Sequence, residues 1–314
     1  MMVAKRQKSL VERLPAVRGR LRADVTLARY TWLRVGGPAE VLFEPADADD
    51  LASFLAACPR DAVVTVLGVG SNLLVRDGGI PGVVIRIGRA FSGISAENGI
   101  LTVGAGATCP NIAKAARDAG VGGLEFLSGI PGSLGGAVRM NAGSYGFEIA
   151  DVLLSARALD GAGGCHELDS RCLGFTYRHS ATPENWIFVT SRLRGRAASA
   201  AEIGARMEAI QAEREASQPI RMRTGGSSFV NPPGEKAWEL IERAGCRGLV
   251  LGAAQVSEKH CNFLINTGGA TAAELEGLGE EVRRRVFGVS GIRLEWEISR
   301  IGEPIANGLR EVVS

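Results

Sequence analysis

One segment in the middle of the chain constrains the fold more than any other. From Gly120 to Gly146 the sequence reads GVGGLEFLSGIPGSLGGAVRMNAGSYG, in which nine of 27 residues are glycine. Glycine reaches positive φ without strain and lets the main chain approach a ligand closely, but it costs conformational entropy on folding. Apolar residues interrupt the glycines, whereas a flexible linker would be polar. The segment therefore predicts packed turns whose backbone amides face an anionic ligand.

Size and charge exclude several classes of protein. The chain has 314 residues, 46% of them hydrophobic, with a net charge of +2, which allows a sizeable core and two or three domains. Basic residues cluster only from Lys5 to Arg22, which predicts a solvated helix or tail and no nucleic-acid partner. No stretch approaches the ~20 apolar residues of a membrane span, and none predicts a secretory signal. The cysteines form no C-x-x-C pair, so we expect no metal and a reducing cytoplasm.

Segments with strand character alternate with segments of helical spacing, a pattern typical of α+β or α/β proteins. In the first two thirds, strands are predicted at 40–43, 63–67, 83–87, 101–103 and 186–193, and helices at 46–58 and 110–119. A helix at 199–217 then leads into a second lobe. There the sequence predicts a glycine turn at 224–226, helices at 236–244 and 271–286, and a strand at 292–300.

A second glycine site occurs at residues 67–77, LGVGSNLLVRD, where a predicted strand ends at Gly68 and Gly70. A Rossmann fingerprint would need a third glycine opening a helix, but Leu73 to Val75 resemble another strand. A phosphate-binding P-loop would need G-K-[ST]. A tight hairpin is the alternative for this segment taken alone. Together, the two glycine turns suit a long ligand with a pyrophosphate.

The motifs resemble, in type and order, the UDP-N-acetylenolpyruvoylglucosamine reductase (MurB) family. The resemblance covers about residues 25 to 303 and is closer to the family's second type, which lacks a tyrosine-bearing loop over the substrate. The motifs that carry it are RVGGPAE at 34–40, GVGSNLL at 68–74, GLEFLSGIPGSLGGAVRMNAGSYG at 123–146, YRHS at 177–180, GGSSFVNP at 225–232, AAQVSEKHCNFLIN at 253–266 and LEWEISRIG at 294–302.

The resemblance implies an α+β fold. A two-subdomain FAD-binding module of the PCMH, or vanillyl-alcohol-oxidase-like, type would precede an α+β substrate-binding domain. The expected boundaries are a basic extension at 1–24, FAD-binding subdomains at 25–88 and 89–198, and the substrate-binding domain at 199–314. It also implies a cytoplasmic, monomeric enzyme of peptidoglycan synthesis. This enzyme would use NADPH and FAD to reduce UDP-N-acetylglucosamine enolpyruvate to UDP-N-acetylmuramate.

Three residues match the chemistry of that reduction. Arg178 offers a permanently charged planar fork for a carboxylate on which charge builds. Glu297, if protonated, could hydrogen-bond the same enolate, and Ser227 could deliver a proton to the α-carbon. Taken singly, each has a plain structural alternative: a surface arginine, a solvent-facing strand glutamate and a turn serine. The family pattern G-S-x-F favours Ser227 over its neighbour Ser228.

The resemblance also assigns binding residues. Asn231 matches a substrate-binding asparagine, but Val230 stands where a lysine is common, so Arg223 or Arg221 could supply the missing charge. His260 and Asn262 either line the substrate site or are satisfied structural residues. No histidine precedes His166, so FAD should be bound without a covalent link. The expected FAD-binding residues are Arg34, Gly68, Gly70, Ser71, Asn72, Gly123, Glu125, Gly129, Ile130, Pro131, Gly132, Gly135, Gly136, Asn141, Ala142 and Gly143.

Two other functions remain open at this stage. An oxygen-using FAD oxidase of the same fold would be reoxidised rapidly by air and would need no NADPH. A non-catalytic flavin- or nucleotide-binding homologue would have no need of a proton donor such as Ser227.

Overall fold

The computed structural model describes residues 9–305, which divide into two compact units. Unit 1 comprises residues 9–24, 40–69 and 82–214, and unit 2 comprises residues 25–39, 70–81 and 215–305. Residues 1–8 of the predicted basic extension and 306–314 of the predicted C-terminal domain lie outside the described residues. Within the described range, no helix has the length and apolar character needed to cross a membrane.

The elements are numbered in chain order. The strands are β1 Arg20–Thr26, β2 Pro38–Glu44, β3 Val64–Leu67, β4 Leu73–Val75, β5 Ile80–Arg86, β6 Ile94–Glu97, β7 Ile100–Gly104, β8 Val121–Gly122, β9 Gly143–Ser144, β10 Phe147–Glu148, β11 Leu153–Leu159, β12 Cys165–Asp169, β13 Ile187–Arg194, β14 Arg196–Ala197, β15 Arg223–Ser227, β16 Val250–Leu251, β17 Ala254–Val256, β18 Phe263–Asn266 and β19 Ser299–Ile301. The α-helices are α1 Leu10–Arg13, α2 Ala48–Ala57, α3 Cys109–Asp118, α4 Leu134–Arg139, α5 Ile149–Val152, α6 Ala200–Ser217, α7 Ala237–Arg243 and α8 Ala272–Ser290, and 3₁₀-helices occur at Leu27–Arg29, Arg89–Phe91, Glu125–Gly129 and Ser170–Leu173.

Unit 1 contains two larger sheets. One has the order β1-β2-β5-β3, with β3 and β5 parallel, and the other has the antiparallel order β12-β11-β13-β7-β6. Asp47 caps the start of helix α2: its carboxylate accepts the Asp50 N–H at 2.9 Å, a cap that contributes about 1 kcal/mol. Helix α3 has Pro110 in its first turn, where a missing N–H costs nothing. Sheets and helices enclose one apolar core that includes Phe43, Phe54, Val103, Ile112 and Leu127.

Unit 2 is an antiparallel sheet, β15-β18-β17-β16, with α7 and α8, together with a parallel pair of β4 and β19. Helix α8 begins with a reciprocal cap between Thr271 and Glu274 and ends at Gly291, which has φ of 71°. Apolar residues recur along it at helical spacing and are buried in the core of the unit. They are Leu275, Leu278, Val282 and Val286.

The structure confirms most predicted elements. The α+β class and the helices predicted at 46–58, 110–119, 199–217, 236–244 and 271–286 are present within a few residues. The early strands and the strand at 186–193 are also present. These are segments in which hydrophobic spacing and bounding glycines or prolines agree, so the local signal suffices.

Three expectations were wrong or incomplete. The basic region includes helix α1, which has no buried residue, but it is not solvated throughout, because Arg20–Thr26 is strand β1 and Arg22 pairs with Glu44 at 2.7 Å. At 67–77 the short strand predicted at Leu73 to Val75 is present as β4, and the hairpin alternative does not apply, since β3 pairs with β5 and β4 pairs with β19. Residues 224–226 belong to β15, where a register shift accommodates Gly226 at φ of 81°. Of the strand predicted at 292–300, only Ser299–Ile301 is regular.

Candidate functional site

Ser227 and Glu297 lie on adjoining segments of unit 2. The backbone N–H of Glu297 donates to the carbonyl of Ser228 at 2.9 Å, and Val230 donates to Glu295 at 2.9 Å. Both Ser227 and Glu297 are half-buried. The last residues of β15 therefore bring the predicted proton donor beside the segment that carries the predicted acid.

The structure separates the roles of the two serines. Ser228 is fully buried, and its Oγ accepts the Leu264 N–H at 3.2 Å. Ser227 follows Gly226 at the end of β15 and remains half-buried. The hydroxyl of Ser228 is therefore used for folding, which agrees with the preference for Ser227.

Asn262 holds the same segment from its other side. Its Oδ1 accepts the Phe229 N–H at 2.9 Å and its Nδ2 donates to the Phe229 carbonyl at 2.8 Å, while its own carbonyl accepts the Ser228 N–H at 2.7 Å. The side chain is buried. Both polar ends of the Asn262 amide therefore have protein partners, as expected of a satisfied structural residue.

Asn72, predicted to contact the cofactor, is bonded to the Glu297 segment. Its Nδ2 donates to the Glu297 carbonyl at 3.0 Å, and the Ser299 N–H donates to the Asn72 carbonyl at 3.1 Å. From there β19 continues parallel to β4. The second glycine loop therefore fixes the backbone on which Glu297 stands, a link that no local sequence pattern indicates.

An ion-pair network supports this part of unit 2. Arg76 binds Glu276 through two bonds of 2.9 Å, and Arg300 contacts both Glu276 at 2.9 Å and Glu280 at 3.0 Å. The Arg76 guanidinium lowers the pKa of Glu276. The Trp296 indole N–H donates to Glu280 at 2.8 Å. The residue that precedes Glu297 is therefore tied to α8.

Arg178 lies in unit 1 at the tip of a tight turn. Thr176 and His179 exchange two backbone hydrogen bonds, of 3.0 and 3.1 Å, and Arg178 adopts a left-handed φ of 56°. Its guanidinium donates to the Gly143 carbonyl at 3.1 Å and lies 4.8 Å from the centre of the Tyr177 ring. Tyr177 therefore supports the arginine, as its position in YRHS predicts.

Two glycines of unit 1 allow its own segments to pack closely together. A Cβ on Gly68 would lie 2.5 Å from Ser133 Oγ, and one on Gly135 would lie 3.0 Å from the Ala105 Cβ. The end of β3 and the GIPGSLGG turn are therefore neighbours, as a pyrophosphate shared by the two turns would require.

Gly123 and Glu125 open onto a cavity of about 470 Å³ within unit 1. Glu125 Oε2 accepts the Gly123 N–H at 2.8 Å. Its Oε1 is buried and accepts no hydrogen bond, although the Nε of Arg206 lies 3.5 Å away. The walls combine aromatic rings with both cationic and acidic side chains, which suits an aromatic ring whose substituents include hydroxyl groups. They include Phe126, Tyr145, Phe147, Arg194, Arg196 and Arg206, and the arginines were missed because only the fold brings them together.

The remaining predicted FAD-binding residues lie on both units. In unit 2, Gly70 has φ of 66° and a Cβ there would be 2.1 Å from the Tyr30 carbonyl oxygen. Arg34 is exposed, has φ of 57° and donates to the Arg29 carbonyl at 2.8 Å. Ser71 is half-buried. Those in unit 1 run from the end of the 3₁₀-helix at 125–129 through α4 to the start of β9: Gly129, Ile130, Pro131, Gly132, Gly136, Asn141, Ala142 and Gly143.

The predicted substrate-binding residues are partly available to a ligand. Asn231 is exposed, and its Oδ1 accepts the Ala237 N–H at 3.0 Å where α7 begins. Arg223 is exposed at the start of β15. His260 is half-buried, its Nδ1 accepts the Asn262 N–H at 3.3 Å, and burial lowers its pKa.

Comparison with known proteins identifies both parts of the chain. A model described as "FAD binding domain" matches residues 39–169, and one for the C-terminal domain of UDP-N-acetylenolpyruvoylglucosamine reductase matches residues 218–301. Proteins of that name from Rhodospirillum rubrum and Azorhizobium caulinodans are 62% and 60% identical, over 93% and 94% of this chain and 93% and 96% of theirs. The crystal structure of the Thermus caldophilus reductase matches with a TM-score of 0.81 and 37% identity, covering 90% of this chain and 100% of that one.

Proposed function

The chain belongs to the UDP-N-acetylenolpyruvoylglucosamine reductase family, and from that premise we propose that it reduces UDP-N-acetylglucosamine enolpyruvate to UDP-N-acetylmuramate with NADPH. It is an FAD-dependent oxidoreductase. The observation that supports the proposal is the 2.9 Å bond from Glu297 N–H to the Ser228 carbonyl, which holds the segment of the proposed acid beside the segment of the proposed proton donor. The reaction belongs to peptidoglycan precursor synthesis, and we propose a cytoplasmic monomer.

The reduction of an enolpyruvyl double bond requires stabilisation of the negative charge that develops on the carboxylate. When bound, FAD would supply the hydride transfer, from NADPH to the β-carbon of the double bond. Arg178 binds the carboxylate and stabilises this charge through its guanidinium. Glu297 in its protonated form donates a hydrogen bond to the enolate, and Ser227 Oγ donates the proton to the α-carbon.

The proposed cofactor contacts involve the glycine turns and the cavity. The backbone around Gly68 and Gly132 to Gly135 would hold the pyrophosphate. The cavity that Gly123 and Glu125 line would take the adenosine end. We propose that FAD is held without a covalent bond, because no histidine precedes His166.

The substrate contacts follow from the exposed residues near Ser227. Asn231 retains its Nδ2 for the substrate while its Oδ1 binds Ala237. Arg223, or Arg221, supplies the positive charge toward the diphosphate that a lysine at Val230 would provide. His260 packs edge-on against Phe263, with ring centres 4.8 Å apart, and forms a wall of the substrate site.

Anaerobic stopped-flow spectroscopy tests the proposal against its alternatives. NADPH should bleach the flavin, and colour should return only when the enolpyruvyl sugar nucleotide is added. Rapid return of colour with oxygen alone would favour an oxidase. Bleaching without recovery on substrate would favour a binding homologue that does not catalyse this reaction.

Replacement of Ser227 by alanine tests the proton donor. We expect Ser227→Ala to leave bleaching by NADPH intact and to slow the recovery by about 10²- to 10⁴-fold, the usual contribution of general acid catalysis. Ser228→Ala is the matched control, since it should lower the melting temperature by removing a buried acceptor while recovery stays within a few-fold of wild type. Equal recovery in the two variants would refute the assignment.

A further inference from the structure

Asn141 belongs to the Gly120–Gly146 segment, yet its side chain has no surface exposed. Its Nδ2 donates to the Thr176 carbonyl at 3.1 Å, and its Oδ1 accepts the Ala150 N–H at 3.0 Å. The predicted contact between this side chain and FAD therefore has little support, because both ends of the amide already bind protein backbone. One of these partners is the residue at which the Arg178 turn begins.

The same segment also holds the guanidinium of that turn. Arg178 donates to the carbonyl of Gly143, two residues beyond Asn141. Thr176 and His179 close the base of the turn, so only Tyr177 and Arg178 project from it. A bond at Thr176 therefore fixes where the turn begins, and a bond at Gly143 fixes where its charged end lies.

A third contact comes from Arg139. Its carbonyl accepts the Ser180 hydroxyl at 3.0 Å, and its guanidinium donates to the carbonyls of Thr182 at 2.8 Å and Pro183 at 3.1 Å. Residues 139, 141 and 143 thus hold the chain on both sides of Arg178. The bond from Asn141 is made by an uncharged side chain. A substitution at Asn141 therefore removes this bond without removing a guanidinium from the site.

We propose that Asn141 is a positioning residue for Arg178 and not a ligand of FAD. The proposal rests on the catalytic role proposed for Arg178. Asparagine suits the site for two reasons that no other residue combines. Its φ of 44° is a left-handed conformation that glycine, asparagine and aspartate tolerate best. Of these three, only asparagine has a side-chain donor for the Thr176 carbonyl.

The substitution Asn141→Gly tests this, because glycine tolerates the left-handed φ and removes the amide. Asn98→Gly is the matched control. Asn98 also has a left-handed φ, of 49°, but it is exposed in the turn between β6 and β7. If Asn141→Gly does not fold, Asn141→Asp keeps the acceptor for Ala150 and replaces the donor to Thr176 by a second acceptor.

Four measurements are needed: FAD affinity by reconstitution, flavin reduction by NADPH, reoxidation by the enolpyruvyl sugar nucleotide, and hydrogen exchange of the His179 amide. We expect Asn141→Gly to leave FAD affinity and reduction within about two-fold of wild type. Reoxidation should slow about 10- to 100-fold, the effect of misplacing a catalytic group by about 1 Å. His179 exchange should accelerate, whereas Asn98→Gly should change none of the four.

A double-mutant cycle with Arg178→Lys shows whether the effect passes through Arg178. If it does, Asn141→Gly should slow reoxidation less than about three-fold in the lysine background. An equal loss in both backgrounds, a fall in FAD affinity with unchanged reoxidation, or unchanged His179 exchange would overturn the proposal. If Arg178→Lys itself changes nothing, the proposed function of Arg178 fails instead, and the exchange of His179 still tests whether Asn141 positions the turn.

Discussion

Replacement of Asn262 by alanine should destabilise unit 2 and displace the segment that carries Ser227. The asparagine side chain satisfies both the N–H and the C=O of Phe229, which is buried. Each buried backbone group that loses its partner costs roughly 1 to 3 kcal/mol. Because water can enter part of the space left by the amide, we expect a total loss of about 2 to 4 kcal/mol in the free energy of unfolding.

Asn231→Ala is the matched control for this prediction. Asn231 is also an asparagine that accepts one backbone N–H, but it is exposed, so its loss should cost about 1 kcal/mol or less. Two assays are needed: urea denaturation, and hydrogen exchange at residues 228–230 under native conditions. We expect Asn262→Ala to unfold at lower urea with faster exchange, and Asn231→Ala to change mainly the substrate KM. Unaltered exchange at Phe229 in Asn262→Ala would refute the reasoning.

Two further predictions concern α8 and pH. A Cβ on Gly279 would lie 2.0 Å from the Trp296 ring, whereas a Cβ on Gly288 of the same helix would meet no atom within 4 Å. Gly279→Ala should therefore lower the melting temperature, and Gly288→Ala should raise the free energy of unfolding by about 0.5 to 1 kcal/mol. Calorimetry can measure both changes. The pKa of His260 is lowered mainly by burial, so the unfolded state binds more protons and stability should fall as the pH drops below about 6.5. His260→Gln should flatten that dependence between pH 7 and 5, and an unchanged slope would argue against burial as its cause.

The sequence predicted elements whose signals are local. Helix α8 has a cap at Thr271, a glycine at its end and apolar residues at helical spacing, and all three agree. The strand at 292–300 was predicted too long because the residues before Ser299 bond to two different parts of unit 2. Glu297 N–H and Ile298 N–H both reach the Ser228 carbonyl, and Trp296 turns toward Glu280 on α8. Alternating hydrophobicity does not report such contacts, because they depend on residues far away in the chain.

The candidate site was predictable to the extent that its motifs are contiguous. YRHS and GGSSF each carry one residue proposed to be functional, and the structure places Arg178 on a tight turn and Ser227 at the end of β15. The asparagines were harder to interpret, because an amide in a glycine loop has the same sequence context whether it binds a ligand or the backbone. Only the fold shows that Asn72 binds the Glu297 segment and that Asn141 binds Thr176.

The pairing of β4 with β19 determines when unit 2 can complete its folding during synthesis. Leu74 is fully buried in the core of unit 2, yet its parallel partner is Arg300. A ribosome therefore releases residues 70–81 long before the strand that completes their sheet exists. Residues 82–214 of unit 1 emerge in that interval and can begin to form their own core first. Unit 2 must therefore complete its folding late, and until then its apolar strand is exposed to chaperones and to aggregation.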